Sequence, residues 1–187
     1  MRIKLKKFKT VKSTNDIAIK CIKKNLSQPT LITSTKQTNG RGRAGKKWVS
    51  KKGNLFITIY FKLDQKRLNF KHFAILNALL IKNLIEKKIS KNIKIKWPND
   101  LLFKEKKFCG ILQEIVNFDK YNYLIVGIGL NTNITPQNKS FKSTCLKNIL
   151  KEKIDNKIIL KNILIAYEKF LSLAKTMSFS ELKRKYK

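Results

Sequence analysis

Acidic residues are scarce. Eleven Asp and Glu stand against 43 Lys and Arg, giving a formal net charge of +32 and a pI near 10.3. Such a charge invites a nucleic-acid reading. Yet the lysines run from end to end, mixed with many Ile and Asn residues. That pattern is a chain-wide drift in residue usage, not a patch built for one partner. No specific nucleic acid is expected, only weak binding at low salt. Cysteine is also sparse and odd in number, with Cys21, Cys109 and Cys145 far apart and no Cys-x-x-Cys. Neither a zinc site nor a disulfide framework is suggested, and no metal site is expected. The basic start, Met-Arg-Ile-Lys-Leu-Lys-Lys, is not followed by an apolar stretch, and no apolar run has membrane length. A signal peptide and a membrane span are both unexpected. The reading is a reduced, cytoplasmic, soluble protein without repeats or low-complexity linkers.

What remains is enough for one ordinary domain. A length of 187 residues suits a single core, and 42% hydrophobic content can fill it. Glycine is concentrated rather than abundant. Three of the seven glycines, Gly40, Gly42 and Gly45, fall within Thr35 to Trp48, interleaved with Arg41, Arg43, Lys46 and Lys47. Glycine lets a backbone take positive φ and approach a ligand closely. Successive N–H groups in such a turn form an anion-binding concavity, and arginine grips phosphate or carboxylate with a planar fork. The stretch reads as a flexible loop that closes over an anionic ligand. The plainer alternative is a solvated basic turn, or an arginine-glycine segment that touches RNA. A P-loop is absent. Gly40-x-Gly42-x-x-Gly45 is followed by a strand and not a helix, which excludes a dinucleotide fingerprint.

Along the chain, Ile3 to Val11 reads as a strand, and Ser13-Thr14-Asn15-Asp16 supplies helix-capping residues. A helix follows with Ile17, Ala18, Cys21 and Ile22 on one face. Leu31 to Ser34 is a buried strand feeding the glycine loop, and Asn54 to Phe61 is strongly β-prone. Phe70 to Ile89 is the longest helical pattern, with Phe73, Leu76, Leu80 and Leu84 at helical spacing. Ile93 to Trp97, Leu101 to Phe103 and Phe108 to Val116 read as strands, the last two forming a hairpin around a charged turn at Lys104 to Lys107. Tyr121 to Ile128 is another strand, ending in Gly127-Ile128-Gly129-Leu130-Asn131. A polar loop covers Thr132 to Ser143. Asp155 to Ala174 is a second long helix, and a short one begins near Ser180. Strands in runs with separated helices argue for α+β, with a mixed, mainly antiparallel sheet flanked by helices.

Four polar clusters sit at strand ends or turns, where ligand-contacting residues concentrate. They are Ser13-Thr14-Asn15, Gln37 to Lys47, Lys96 to Lys107, and Gly127 to Asn131. Each alone also reads plainly, as a helix cap, a basic turn, a tight turn or close packing. Together they resemble the catalytic domain of biotin–protein ligases, also called biotin–[acetyl-CoA-carboxylase] ligases. The resemblance is carried by Ser13-Thr14-Asn15 before the first helix and by Gly-Arg-Gly-Arg-x-Gly-x-x-Trp at Gly40 to Trp48. It continues in Lys-Trp-Pro-Asn-Asp at Lys96 to Asp100, Lys-x-x-Gly-Ile-Leu-x-Glu at Lys107 to Glu114, and Gly-x-Gly-x-Asn at Gly127 to Asn131. All occur in family order, and the resemblance covers roughly residues 8 to 186.

The resemblance implies the biotin/lipoyl ligase fold, similar to class II aminoacyl-tRNA synthetases, and a two-step reaction. Biotin's carboxylate attacks the α-phosphate of ATP to give biotinyl-5′-AMP and pyrophosphate. A lysine of the biotin carboxyl carrier protein then takes the biotin, and AMP leaves. Carried over by motif, Ser13, Thr14, Asn15 and Gln37 would touch biotin, and Arg41, Gly42 and Arg43 would hold biotin and the adenylate phosphate. Trp48 would stack near adenine, and Asn99 and Asn131 would help place the nucleotide. Lys107 would contact carboxylate and phosphate, and Gly110 would allow close packing against the biotin rings. Asp100 would act on the acceptor lysine. Magnesium would enter with ATP. Relatives form homodimers through a sheet edge, so the resemblance allows one here.

The chain departs from the family at both ends. Its motifs begin within the first fifteen residues. No winged helix and no repressor activity are therefore expected. It stops at Lys187, so the small C-terminal SH3-like domain of many relatives is expected to be missing, which bears on carrier docking. One catalytic domain over residues 1–187 is the resulting expectation. Two other readings remain. On the same fold stands a lipoate–protein ligase or octanoyltransferase, against which the arginine-glycine loop and Lys-Trp-Pro-Asn-Asp favour biotin. From another class comes a basic nucleic-acid-binding module.

Overall fold

The computed structural model describes residues 1–87, 93–137 and 141–187. A seven-stranded sheet runs through it in the order β1-β2-β3-β7-β6-β5-β4. The strands are β1 (Lys4–Val11), β2 (Thr30–Gln37), β3 (Leu55–Lys62), β4 (Ile93–Lys96), β5 (Asp100–Phe103), β6 (Lys106–Phe118) and β7 (Tyr121–Leu130). The helices are α1 (Thr14–Lys23), α2 (Phe70–Glu86), α3 (Leu146–Leu150), α4 (Asn156–Leu173) and α5 (Phe179–Tyr186). β1 and β2 pair in parallel across α1, and the other described pairings are antiparallel. This is the mixed, mainly antiparallel α+β sheet expected from the sequence.

The local reasons are visible in the sequence. Ser13 caps α1 by accepting from Asn15 N at 3.2 Å, Asp16 lies in the first turn, and Lys20 and Lys23 lie in the last. Both charges suit the helix dipole. The β5–β6 connection is tighter than the four-residue charged turn expected. Lys104 and Glu105 both take left-handed φ, 46° and 59°, and Lys106 already belongs to β6. Two consecutive residues of positive φ match the twist of a two-residue hairpin. Helix α3 was not anticipated, because five residues are too few to show a period. The end of the expected helix at 88–89 and positions 138–140 of the expected polar loop lie outside the described residues.

The central strands are buried on both faces, and alternation sorts their residues between two cores. Leu55, Ile57, Ile59 and Phe61 of β3 and Leu124, Val126, Ile128 and Leu130 of β7 pack with α2 and α4 residues such as Phe73, Leu76, Ile163 and Phe170. Tyr60, Tyr123 and Ile125 point to the other face and pack against Ala18 and Ile22 of α1. Further along that second face the large residues stop, and the site begins.

Candidate active site

On the α1 face of the sheet, the positions that follow Tyr60 and Ile125 by alternation are Thr58 of β3 and Gly127 and Gly129 of β7. Gly110, Leu112 and Glu114 of β6 continue the patch. The register pairs Thr58 with Gly127 and Gly110 with Gly129. Three neighbouring positions therefore carry no side chain, and the sheet surface is hollowed. The glycines are needed for closeness rather than for unusual φ. A Cβ on Gly110 would lie 2.6 Å from the Trp48 ring, one on Gly129 would overlap the same indole, and one on Gly127 would overlap Asn15 Oδ1. Above this floor opens a cleft of about 910 Å³.

One end of the cleft is a buried polar network. Gln37 Oε1 accepts from Thr14 N at 2.8 Å and lies 3.0 Å from Thr14 Oγ1, while Gln37 Nε2 donates to Ser50 Oγ at 2.9 Å. Thr58 Oγ1 lies 2.7 Å from Thr14 Oγ1 and 2.6 Å from Asn15 Oδ1. Asn15 Nδ2 donates to Glu114 Oε2 at 2.6 Å. Glu114 also pairs with Arg41, whose other nitrogen reaches Asp16 Oδ1 at 2.8 Å. Arg41 thus arrives pinned by two carboxylates, one from α1 and one from β6.

The other end holds the remaining cations. Lys107 Nζ lies 2.7 Å from Asp100 Oδ1, both side chains sheltered at 14% and 20% exposure. The contact is close without the alignment of a hydrogen bond, so it is an ion pair. The same ammonium sits 5.2 Å from the Trp48 ring centre and 5.0 Å from that of Phe141. Lys107 is anchored through its backbone, which accepts from Thr144 N and donates to Lys142 O, each at 2.9 Å. Arg43 is exposed on the cleft and makes no ion pair among the described residues.

The glycine loop has more internal structure than a flexible strip. Gly42 N donates to Lys46 O at 2.7 Å, Trp48 N donates to Gly40 O at 2.9 Å, and Arg43–Gly45 forms a 3₁₀ turn. Positive φ falls on Ala44 and Gly45, at 50° and 72°, not on Gly40 or Gly42. Of the expected residues, Ser13, Thr14, Asn15, Gln37, Arg41, Gly42, Arg43, Trp48, Asn99, Asp100, Lys107 and Gly110 all line this cleft. Asn131 does not. It is buried, with Nδ2 donating to Thr144 O at 3.2 Å and Oδ1 facing Asn54 at 3.5 Å. Asp16, Thr58 and Glu114 were not picked as site residues. The signals for two of them were present: Thr58 is a lone hydroxyl in an apolar strand, and Glu114 shares a strand face with Gly110.

These features set cationic side chains and a polar pocket on the two sides of a glycine floor. Residues 7–131 match the biotin/lipoate A/B protein ligase family, and the chain belongs to it. Bifunctional ligase/repressor BirA of Bacillus subtilis (strain 168) is 32% identical over 177 residues, covering 91% of this chain and 54% of that protein. The biotin–[acetyl-CoA-carboxylase] ligase of Paracoccus denitrificans is 31% identical over 122 residues, 64% of this chain and 50% of its own. The chain thus spans about half the length of these curated relatives. Among solved structures, biotin protein ligase from Aquifex aeolicus in complex with biotin and ATP superposes with a TM-score of 0.80 at 33% identity. That match covers 98% of this chain and 76% of the other. No described helix is long and apolar enough to cross a membrane.

Proposed function

We propose that the chain is a biotin–protein ligase. It would activate biotin with ATP to biotinyl-5′-AMP and pass the biotin to a lysine of the biotin carboxyl carrier protein of acetyl-CoA carboxylase. One observation carries this reading: four motif clusters far apart in sequence line a single cleft, polar at one end and cationic at the other. A ligand with a hydrogen-bonding ring and a carboxylate tail fits that polarity, ring toward Thr14, Asn15 and Gln37, tail toward Lys107. The Aquifex aeolicus relative, solved with biotin and ATP, supports the choice of substrates.

In the first step a carboxylate oxygen of biotin attacks the α-phosphorus, and the bond to pyrophosphate breaks. Charge builds on phosphate oxygens, so fixed cations near them contribute most. Lys107 exchanges its Asp100 partner for the incoming anions, and Arg43, free on the cleft, closes on the phosphate. Trp48 offers its face to adenine, with Asn99 beside it. The adenylate hydrolyses readily, and the loop over the cleft keeps water from it. In the second step Asp100, released from Lys107, takes a proton from the acceptor lysine, whose neutral amine attacks the anhydride and expels AMP. Magnesium comes with ATP, held by the phosphates. Among the described residues no cluster of three or more His, Cys, Asp or Glu side chains is placed to hold a metal ion. We place the protein in the cytoplasm, where its three buried free thiols stay reduced. A homodimer through a sheet edge remains a proposal.

The test is biotin-dependent exchange of labelled pyrophosphate into ATP, with lipoate and octanoate in parallel. Exchange with biotin alone is expected. None with any acid removes the ligase reading, and exchange with lipoate alone moves the chain to the other branch of its family.

A further inference from the structure

The Ser-Thr-Asn segment and the glycine loop approach the cleft from different elements, and Glu114 of β6 bridges Asn15 of one to Arg41 of the other. Glu114 accepts from Asn15 Nδ2 through Oε2 and pairs with Arg41 through Oε1. An ionised carboxylate only accepts hydrogen bonds. It therefore decides which end of the Asn15 amide turns toward it, which no neighbouring hydroxyl can do. Thr58 would tolerate either end, since a hydroxyl donates or accepts. With its nitrogen committed to Glu114, Asn15 directs Oδ1 toward Thr58 and the floor. The absence of a side chain at Gly127 leaves room for that oxygen, which is the nearest atom to where a Cβ would stand. Thr58 engages one lone pair of Oδ1, and the second is left for a donor in the cleft.

We propose that Glu114 is a specificity-determining residue of the acyl pocket. By fixing Asn15 Oδ1 as an inward acceptor, it selects an acid whose ring carries N–H donors, a cyclic urea, over the dithiolane of lipoate, which carries none. The proposal rests on the biotin reading above and deepens it, because it locates the choice between the two branches of the family in a residue set back from the ligand. Arg41 shares the carboxylate, so the same side chain ties ring recognition to the loop that covers the acid's tail.

The experiment is calorimetry on the full chain with three probes: biotin, desthiobiotin, which keeps the urea ring and lacks the sulfur, and lipoate. Wild type is expected to bind the two ureas and not lipoate. Glu114→Gln keeps the size and frees the Asn15 amide to turn over. It should weaken both ureas by the same factor, about ten- to a hundredfold for a hydrogen bond network anchored on a charged group. The comparison is repeated in an Arg41→Ala background, where the loss on adding Glu114→Gln should persist. Unchanged urea binding in Glu114→Gln overturns the proposal, as does a loss that vanishes without Arg41, which would make Glu114 a partner of that arginine alone. If wild type binds neither urea, the biotin reading itself falls and takes this proposal with it. A wild type that binds both, beside an indifferent Glu114→Gln, removes this proposal only.

Discussion

Gly127→Ala should lower stability and biotin binding together, whereas Gly129→Ala, two residues along the same strand face, should lower neither stability nor fold. The backbone at both positions suits alanine, so each substitution regains about 0.4–1 kcal/mol by restricting the unfolded chain. The difference lies in what the new methyl meets. At Gly127 it overlaps Asn15 Oδ1 and lies 3.1 Å from Asn15 Cγ. Asn15 is 3% exposed and held on both sides by Thr58 and Glu114, so it cannot step aside. Overpacking of that kind costs about 1–3 kcal/mol. The central net loss is about 1.3 kcal/mol, or roughly 3–5 °C in Tm for a chain of this size. At Gly129 the methyl meets the Trp48 indole, which rides on the glycine loop. The indole N–H has no acceptor among the described residues, so packing over Gly110 and Gly129 and the nearby Lys107 ammonium hold the ring rather than a hydrogen bond. It should swing into water and red-shift its fluorescence, leaving Tm at or above wild type. The assay is paired thermal melts, tryptophan emission and biotin calorimetry on the three proteins. If Gly127→Ala melts with Gly129→Ala and binds biotin as wild type does, the argument that Asn15 is clamped over a glycine floor is wrong.

Lys107→Ala should cut pyrophosphate exchange by about 10²–10³ with the melt little changed, since it removes the sheltered cation proposed to meet the carboxylate and phosphate; unchanged exchange would take Lys107 out of the site. Arg43→Gly should leave adenylate formation measurable but let biotinyl-AMP escape, because a charge-assisted contact to phosphate worth about 1.5–3 kcal/mol is lost and most such loss is faster release. Biotin label on albumin should then rise above wild type without the carrier, and equal labelling would refute the retention role. The Cys109 thiol is fully buried, and burial together with the nearby Asp100 charge holds its pKa far above the ordinary thiol value. A thiolate-seeking reagent at pH 8 should modify Cys109 only after denaturation, as intact and unfolded masses would show.

Most of the fold was legible because its elements carry their own periods. Phe73, Leu76 and Leu80 announce α2, and the run from Leu55 to Phe61, apolar but for Thr58, announces a strand buried on both faces. The motifs placed twelve expected residues on one cleft. What the chain did not show in one dimension was partnership. Nothing about Asp16 beyond a helix first turn says that it faces Arg41. The partners of Asn131 were hidden in the same way: it follows two glycines that form the floor, but β7 ends at Leu130, and the Asn131 amide donates to Thr144 O. The two consecutive positive-φ residues at Lys104-Glu105 were hidden because neither is glycine or asparagine.

The distribution of the scarce acids gives the site its character. A net charge of +32 favours anions over cations near the chain, which suits the nucleoside triphosphate of the proposed reaction. The same field would leave neighbouring cations repelling one another and their side chains splayed. Of the eleven acidic residues, Asp16, Glu114 and Asp100 stand at the site and hold Arg41 and Lys107 in place. The exposed pair Lys94–Glu105 on the same cleft, at 2.8 Å, contributes little by comparison because water screens it. The site's carboxylates thus hold the cations in defined places before any ligand arrives, and in the proposed reaction only Lys107 changes partner. Arg43 is the exception, with no carboxylate partner among the described residues. It is the one arginine of the loop left for the ligand's phosphate to recruit, which is why its loss should loosen retention of the intermediate without abolishing its formation.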